Sequence, residues 1–331
     1  MNASSLSSLL QRFFTDRLIR QMGASSQTVS SYRDTFRLLF QFAADQIGRE
    51  PSKLHMEELD VSFLEKFLEH IEIKRHNCAR TRNNRLSALK AFFRYVSFTE
   101  PALAMHCQRI LVIPSKRYEH GPVEFLTEEE TAALIAAPDP RTWIGRRDRT
   151  ILLVAVQTGL RNSEITALRR EDVEFGAGAH VRCQGKGRKM RCTPLRPDVV
   201  AMLKEWLSLR DDNPHDPVFP TARGTRLSAD ALQRLITRHA VSASQSCPSL
   251  KEKTVTPHTL RHSAAMNLLQ HGVDLSVIAL WLGHESTETT QIYLHADMRL
   301  KEQALAHTTG SGLVPDRYRP SDPLLTFLES L

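Results

Sequence analysis

The sequence predicts a mainly α-helical protein: an N-terminal helical bundle followed by an α+β domain with a small antiparallel β-sheet. Three observations carry that prediction. Apolar residues recur at helical spacing through roughly the first 110 positions. Pro114, Gly121 and Pro122 then punctuate a stretch in which no period survives. Beyond it, helical patterning resumes around two short β-like runs that flank Gly185-Lys186-Gly187, a hairpin signal.

Each element has its own local signal. Thr28 is placed to cap a helix whose stripe is Val29, Tyr32, Phe36, Leu39, Phe40 and Ala43. Asp60 caps a second, with Phe63, Leu64, Phe67, Leu68 and Ile71 inward. Thr81 is expected to cap a third, with Leu86, Leu89, Phe93 and Val96 inward; Arg82, Arg85, Lys90 and Arg94 fall mainly off that face. These helices make a first domain over 1–112, and 113–124 reads as a linker. The second domain, 125–309, opens with Thr127 ahead of Glu128, Glu129 and Glu130, a cap followed by first-turn acids. The apolar run Ile151–Val156 ends at Gly159, a buried helix with a glycine C-cap. His180 to Leu195 forms the hairpin, and Val199, Val200, Leu203, Trp206 and Leu207 mark another amphipathic helix. Thr256 caps a helix with Pro257 at its first position, and Gly272 ends it. A short helix follows from about Leu275 to Leu282 before Gly283, and the stretch from Thr287 to His295 begins the helix that bears Tyr293. A tail over 310–331 ends in Leu324, Leu325, Phe327, Leu328 and Leu331, a short apolar helix suited to contact with another protomer.

With 331 residues the chain is comfortable for two domains. Its formal charge of +7 favours a polyanionic partner. Placement says more than the sum: seven basic residues and no acid lie between Glu72 and Glu100. An ordinary solvated helix face mixes both signs. Arg80, Arg82, Arg85 and Lys90 there, and Arg188 in the hairpin, are the candidate phosphate contacts. The five cysteines are scattered with no C-x-x-C pair, so neither a disulfide framework nor a zinc site is suggested. No run approaches the roughly 18 apolar residues of a membrane span. A cytoplasmic, nucleoid-associated location is expected, with no membrane partner and no cofactor or metal.

The chemistry concentrates in a few residues. Arg161 stands in T-G-L-R-N-S-E, in the tight turn after Gly159. His258 and Arg261 lie three apart, on one helix face close to an N-terminus that favours anions. His284 follows Gly283, and Tyr293 is the one candidate nucleophile of the set. Two guanidinium forks suit a phosphate gripped from several sides. Lys186 at the hairpin tip can offer a proton to a leaving oxygen. Tyr293 would attack phosphorus, with His284 or His258 managing its proton. Glu164 can orient Arg161 or a histidine. Taken singly each has a bland reading: Tyr293 as core, Arg161 as an ion-pair partner of Glu164, His284 as a cap, Lys186 as an exposed lysine. His262 has no evident role beyond packing or a supporting bond.

In this order, however, T-G-L-R-N-S-E, G-K-G, H-T-L-R-H, L-G-H and Tyr293 resemble the tyrosine recombinases, the phage-integrase family with its Xer-type and Cre-type members. The likeness spans about residues 125–300. The first domain is similar in pattern only, to the family's SAM-like core-binding domain. The resemblance implies a clamp on double-stranded DNA, cut and rejoined through a 3′-phosphotyrosine and a Holliday junction without ATP or Mg²⁺. It implies Tyr293 as nucleophile, Arg161 and Arg261 on the pentavalent phosphate, Lys186 as donor to the 5′ oxygen, His258 as acid/base and His284 on the phosphate. It also implies a tetramer on paired sites, either of this chain alone or with a related recombinase, held by the tail. The expected role is the integrase or transposase of a mobile element. An Xer-type resolvase of chromosome or plasmid dimers is the alternative. A type IB topoisomerase and an inactive DNA-binding accessory protein are further ones. A lambda-type integrase with arm sites is not expected, since no arm-binding segment precedes the first helices.

Overall fold

The computed structural model describes residues 5–118, 123–185, 190–210, 213–284 and 290–293. Lys186 and Arg188 lie outside the described residues, as does the tail over 310–331. The chain forms two compact units, Met1–His120 and Gly121–Leu331.

In the first unit, α1 (Leu6–Arg12) starts behind Ser5, whose hydroxyl accepts the Ser8 N–H, and continues as a π-helical stretch over Phe13–Gln21. The chain then forms α2 (Ser26–Ile47), α3 (Val61–Ile73), α4 (Ala79–Thr99) and α5 (Ala104–Leu111). Asp60 caps α3 as expected, accepting the Phe63 N–H at 2.8 Å. Two starts differ from the sequence expectation. Ser25, not Thr28, caps α2: its hydroxyl accepts the Thr28 N–H, so Thr28 lies inside the first turn. Helix α4 starts behind Cys78, one turn before Thr81. The core is aromatic, with Phe13 against Phe36, Phe92 and Tyr95.

Arg82 also needs correction. It falls on the same stripe of α4 as Leu86, Leu89, Phe93 and Val96, and it is buried. Its guanidinium donates to the Pro114 carbonyl at 3.0 Å and lies 3.8 Å from Glu72. That bond fastens the end of the unit to α4, so Arg82 acts inside the fold. Arg85 is half-buried and donates to Ser31 O and Thr35 Oγ1. Lys90 is half-buried, and its ammonium is depressed by burial and by Arg94 and Arg82. Arg80 and Arg94 are exposed.

The second unit is built around α7 (Trp143–Thr158), whose Ile151, Leu152 and Val154 are fully buried. Before it comes α6 (Glu128–Ala136), closed by the expected capping box of Thr127 and Glu130. After it come α8 (Asn162–Ala167), strands β1 (Val173–Glu174), β2 (His180–Gln184) and β3 (Met190–Pro194), then α9 (Pro197–Ser208), α10 (Ala229–Ala243), α11 (Pro257–Gln270) and α12 (Leu275–Leu282). Among the described residues the strands form one antiparallel sheet, ordered β1-β2-β3, with Val181 opposite Thr193 and Cys183 opposite Arg191. Fully buried Asp148 accepts from Arg147, Arg238 and His239, which ties α7 to α10. Among the described residues, no helix is long and apolar enough to cross a membrane.

Candidate active site

Two glycine turns set the geometry of the second unit. Gly159 ends α7 and Gly283 ends α12, both left-handed, with φ of 63° and 64°. The first turn packs on the second element closely: a Cβ at Gly159 would meet Leu282 Cδ2 at 2.6 Å. The carbonyls around these turns then become arginine acceptors. Arg261, near the start of α11, donates to Gly159 O and to Leu282 O, each at 2.7 Å. Arg161, the residue before α8, donates to Gly283 O at 2.9 Å. A helix C-terminus carries partial negative charge, so these carbonyls suit cations. The bonds to described residues engage two N–H donors of each fork, and a guanidinium has five. Both forks are thus oriented while retaining donors for an anion.

Glu164 is the counter-charge. It is buried and accepts the Arg161 backbone N–H at 2.7 Å and Arg161 Nη1 at 2.9 Å. It also takes a two-pronged bond from Arg191 on β3, at 2.8 and 2.7 Å. Burial opposes its charge, but the bonds from Arg191 and Arg161 outweigh that and hold the carboxyl below its ordinary value. Arg261 shows the other side of the balance: burial first, then Arg161 and Arg191, bring it down to about 10. Three guanidinium groups facing one carboxylate leave a cationic recess that an anion such as a phosphate would neutralise.

Tyr293 lies in the helical stretch 290–293 and is 1% exposed, its ring among Ala265, Met266, Leu269, Ile278 and Leu282. Burial pushes the phenol up to about 12, with Arg261 pulling the other way. Its hydroxyl lies 2.9 Å from His262 Nδ1. Burial, His258 and Arg261 lower His262 to about 4, so its imidazole is neutral at ordinary pH. His258 is exposed near the N-terminus of α11, its ring stacked 5.8 Å from that of His262. His284 holds Thr290 Oγ1 at 2.8 Å through Nδ1, and burial and the three arginines lower it to about 4. That bond pins the start of the stretch carrying Tyr293 to the end of α12.

Arg161, Glu164, His258, Arg261, His284 and Tyr293 are therefore carried by linked elements of one unit. Arg191 escapes sequence reasoning, and His262 is read from sequence only as a packing or supporting residue, with no partner named. On β3, Met190 and Cys192 face out while Arg191 and Thr193 turn in, against their polarity. Only the register with β2, where buried Cys183 opposes Arg191, shows this. His262 had a usable signal, its position next to Arg261, but its partner lies 31 residues away.

Two family models match the chain. The phage integrase family matches residues 124–299, and the phage integrase N-terminal SAM-like domain matches 10–97. A Sinorhizobium fredii protein named as an integrase/recombinase, y4rC, is 52% identical over 99% of both chains. The tyrosine recombinase XerC of Chlamydia trachomatis serovar L2 is 36% identical over 70% of this chain and 72% of its own. Among solved structures, the XerH site-specific recombinase bound to a palindromic difH substrate, in a post-cleavage complex, superposes with a TM-score of 0.69. It is 24% identical and covers 92% of this chain and 85% of its own, which shows a shared fold.

Proposed function

The chain belongs to the phage integrase family and is a tyrosine site-specific recombinase, and on that premise we propose that Tyr293 cuts one DNA strand by attacking a phosphorus held between Arg161 and Arg261. One observation carries this reading. Arg261 and His262 are adjacent on α11; the first is bonded to the same turn that orients Arg161, and the second touches the Tyr293 hydroxyl. One turn of helix thus links the grip on the phosphate to the nucleophile.

The attack forms a 3′-phosphotyrosine and frees a 5′-hydroxyl. Arg161 and Arg261 meet the charge that grows on the nonbridging oxygens, and their carbonyl partners fix them beforehand. Lys186 is assigned the proton for the 5′ oxygen, His258 acid/base work and His284 a phosphate contact. The phosphotyrosine conserves the energy of the broken ester, so reversal by another 5′-hydroxyl rejoins the strand. In the first unit Arg80, Arg85 and Lys90 are assigned DNA phosphates, as is Arg188 in the second. Exposed Arg80 is better placed than half-buried Arg85 and Lys90, and Arg82 is withdrawn because it is buried as well as bonded within its unit. The working assembly is a tetramer on paired DNA sites that exchanges strands through a Holliday junction, with the 310–331 tail as the protomer contact. Likeness to an integrase/recombinase along nearly the full chain supports the integrase or transposase of a mobile element. Likeness to XerC supports a dimer resolvase as the second reading.

The test is a suicide-substrate assay in EDTA, using nicked duplexes taken from the DNA flanking the gene. A DNA-linked protein band that disappears in Tyr293→Phe is expected. A band that survives the substitution removes Tyr293 as nucleophile.

A further inference from the structure

We propose that Thr290 is a positioning residue for His284: its hydroxyl donates to Nδ1 of that ring and so fixes the imidazole proton on Nε2, the nitrogen left to face the DNA phosphate. The inference rests on the reading of His284 as a phosphate contact. Its ground is a buried contact between two elements. His284 Nδ1 lies 2.8 Å from Thr290 Oγ1, and Thr290 is fully buried. The backbone of His284 is held too, its N–H donating to Ala279 O at 2.9 Å. The residue before it, Gly283, supplies the carbonyl that orients Arg161. Thr290 stands three residues before Tyr293 in one helical stretch, and both are buried while Gln291 and Ile292 are exposed.

A neutral imidazole has one N–H and one lone pair, and the hydrogen bond made by one nitrogen decides which of them the other presents. Burial first, then Arg261, Arg161 and Arg191, lower His284 to about 4, so its ring is neutral at ordinary pH. Two arrangements then satisfy the contact with Thr290. If Nδ1 keeps the proton and donates to the hydroxyl, Nε2 turns a lone pair toward a phosphate oxygen, and the two repel. If the hydroxyl donates, Nε2–H meets that oxygen as a fixed donor, which is what a phosphate contact requires. The burial of Thr290 keeps water from competing for Nδ1 on that side. A neutral N–H also grips the phosphate without adding a further cation beside three guanidinium groups. Because the hydroxyl belongs to the stretch that carries Tyr293, the packing that places the nucleophile also sets this donor.

The experiment pairs nitrogen NMR of the histidine rings, on the full chain, with single-turnover adduct formation on the suicide substrate; DNA binding is measured separately. The His284 signal, assigned by its loss in His284→Ala, should show a protonated Nε2 and a bare Nδ1. A protonated Nδ1 overturns the proposal. Thr290→Val keeps the side-chain volume and removes the hydroxyl, whereas Thr290→Ser keeps the hydroxyl and removes the methyl. Thr290→Val should lose the fixed tautomer, bind DNA normally and form adduct roughly tenfold more slowly, less than the ~10²-fold for deleting a preorganised donor outright. Thr290→Ser should keep the tautomer and a rate within about threefold of the parent, on the same scale. A role in packing alone predicts the reverse order, with the serine variant the worse. A Thr290→Val protein that keeps the parent's tautomer or its rate overturns the proposal, and so does a Thr290→Ser protein as slow as Thr290→Val. If Thr290→Val does not fold, the parent's tautomer and the Thr290→Ser rate decide. A parent-like rate in His284→Ala would remove the phosphate contact and the inference with it. An adduct in Tyr293→Phe would instead remove the nucleophile reading and leave the tautomer result standing.

Discussion

Replacing Arg191 with methionine isolates the pair that joins the sheet to the Arg161 turn. Arg191 gives Glu164 two bonds, at 2.8 and 2.7 Å, and the side chains are 11% and 3% exposed. Removing one partner of a buried pair costs about 3–5 kcal/mol, because the other charge remains without it. Glu164 keeps both bonds from Arg161, which places the expectation at the lower end, about 3 kcal/mol. The assay is urea unfolding followed by tryptophan fluorescence. All three tryptophans, Trp143, Trp206 and Trp281, lie in the second unit, so the signal reports that unit. The companion Glu164→Gln and the double variant complete a cycle, with an expected coupling of about 1–3 kcal/mol. The carboxyl should also move up toward its ordinary value, since Arg191 is its strongest favourable partner. A depressed carboxyl contributes stability that is lost as pH falls through its folded value, so Arg191→Met should show a shallower acid loss. A destabilisation below about 1 kcal/mol, or a coupling near zero, would refute the claim that this pair is buried and shared.

Three more outcomes are expected. Gly283→Ala would place a Cβ 2.6 Å from Arg191 Nη1 in a left-handed turn, so it should destabilise the second unit by at least about 1 kcal/mol in the same assay; a neutral result would mean the turn relaxes freely. His262 and His284 are held at about 4, below the ordinary 6.5. The unfolded chain therefore binds protons first as pH falls from 6.5 toward 4, and stability should drop by on the order of 1 kcal/mol per residue after allowing for partial exposure. Urea midpoints that stay level between neutral pH and pH 5 would count against it. Charge removal at exposed Arg80 should weaken DNA binding and reduce the salt slope by roughly 0.9, the share of one phosphate contact. An unchanged slope would return Arg80 to an ordinary surface role.

The local signals were legible wherever one side chain and its own turn decide the matter. Asp60, Thr127 and Thr256 cap helices, and Gly159 and Gly283 end them, as their sequence contexts predict. Where two caps compete within one turn, the sequence chose wrongly: Ser25 outcompetes Thr28, because its hydroxyl reaches the Thr28 N–H. Arg82 was misjudged because a charged residue on an apolar stripe reads as exposed until the Pro114 carbonyl that satisfies it is known.

By itself, the sequence determined the family and the helical character of both units, and it singled out the residues proposed here to react, since motif order and cap chemistry are properties of neighbouring positions. The tertiary structure alone decided which groups orient that set. The acceptors for Arg261 are Gly159 and Leu282, far apart in the chain and paired only because two glycine turns pack together. Arg191 reaches Glu164 only through strand register, and His262 meets Tyr293 only when the 290–293 stretch folds back on α11. Hydrogen bonds of this kind depend on positions to within a few tenths of an ångström. Residue spacing along the chain does not contain that information, and the packing of distant elements does.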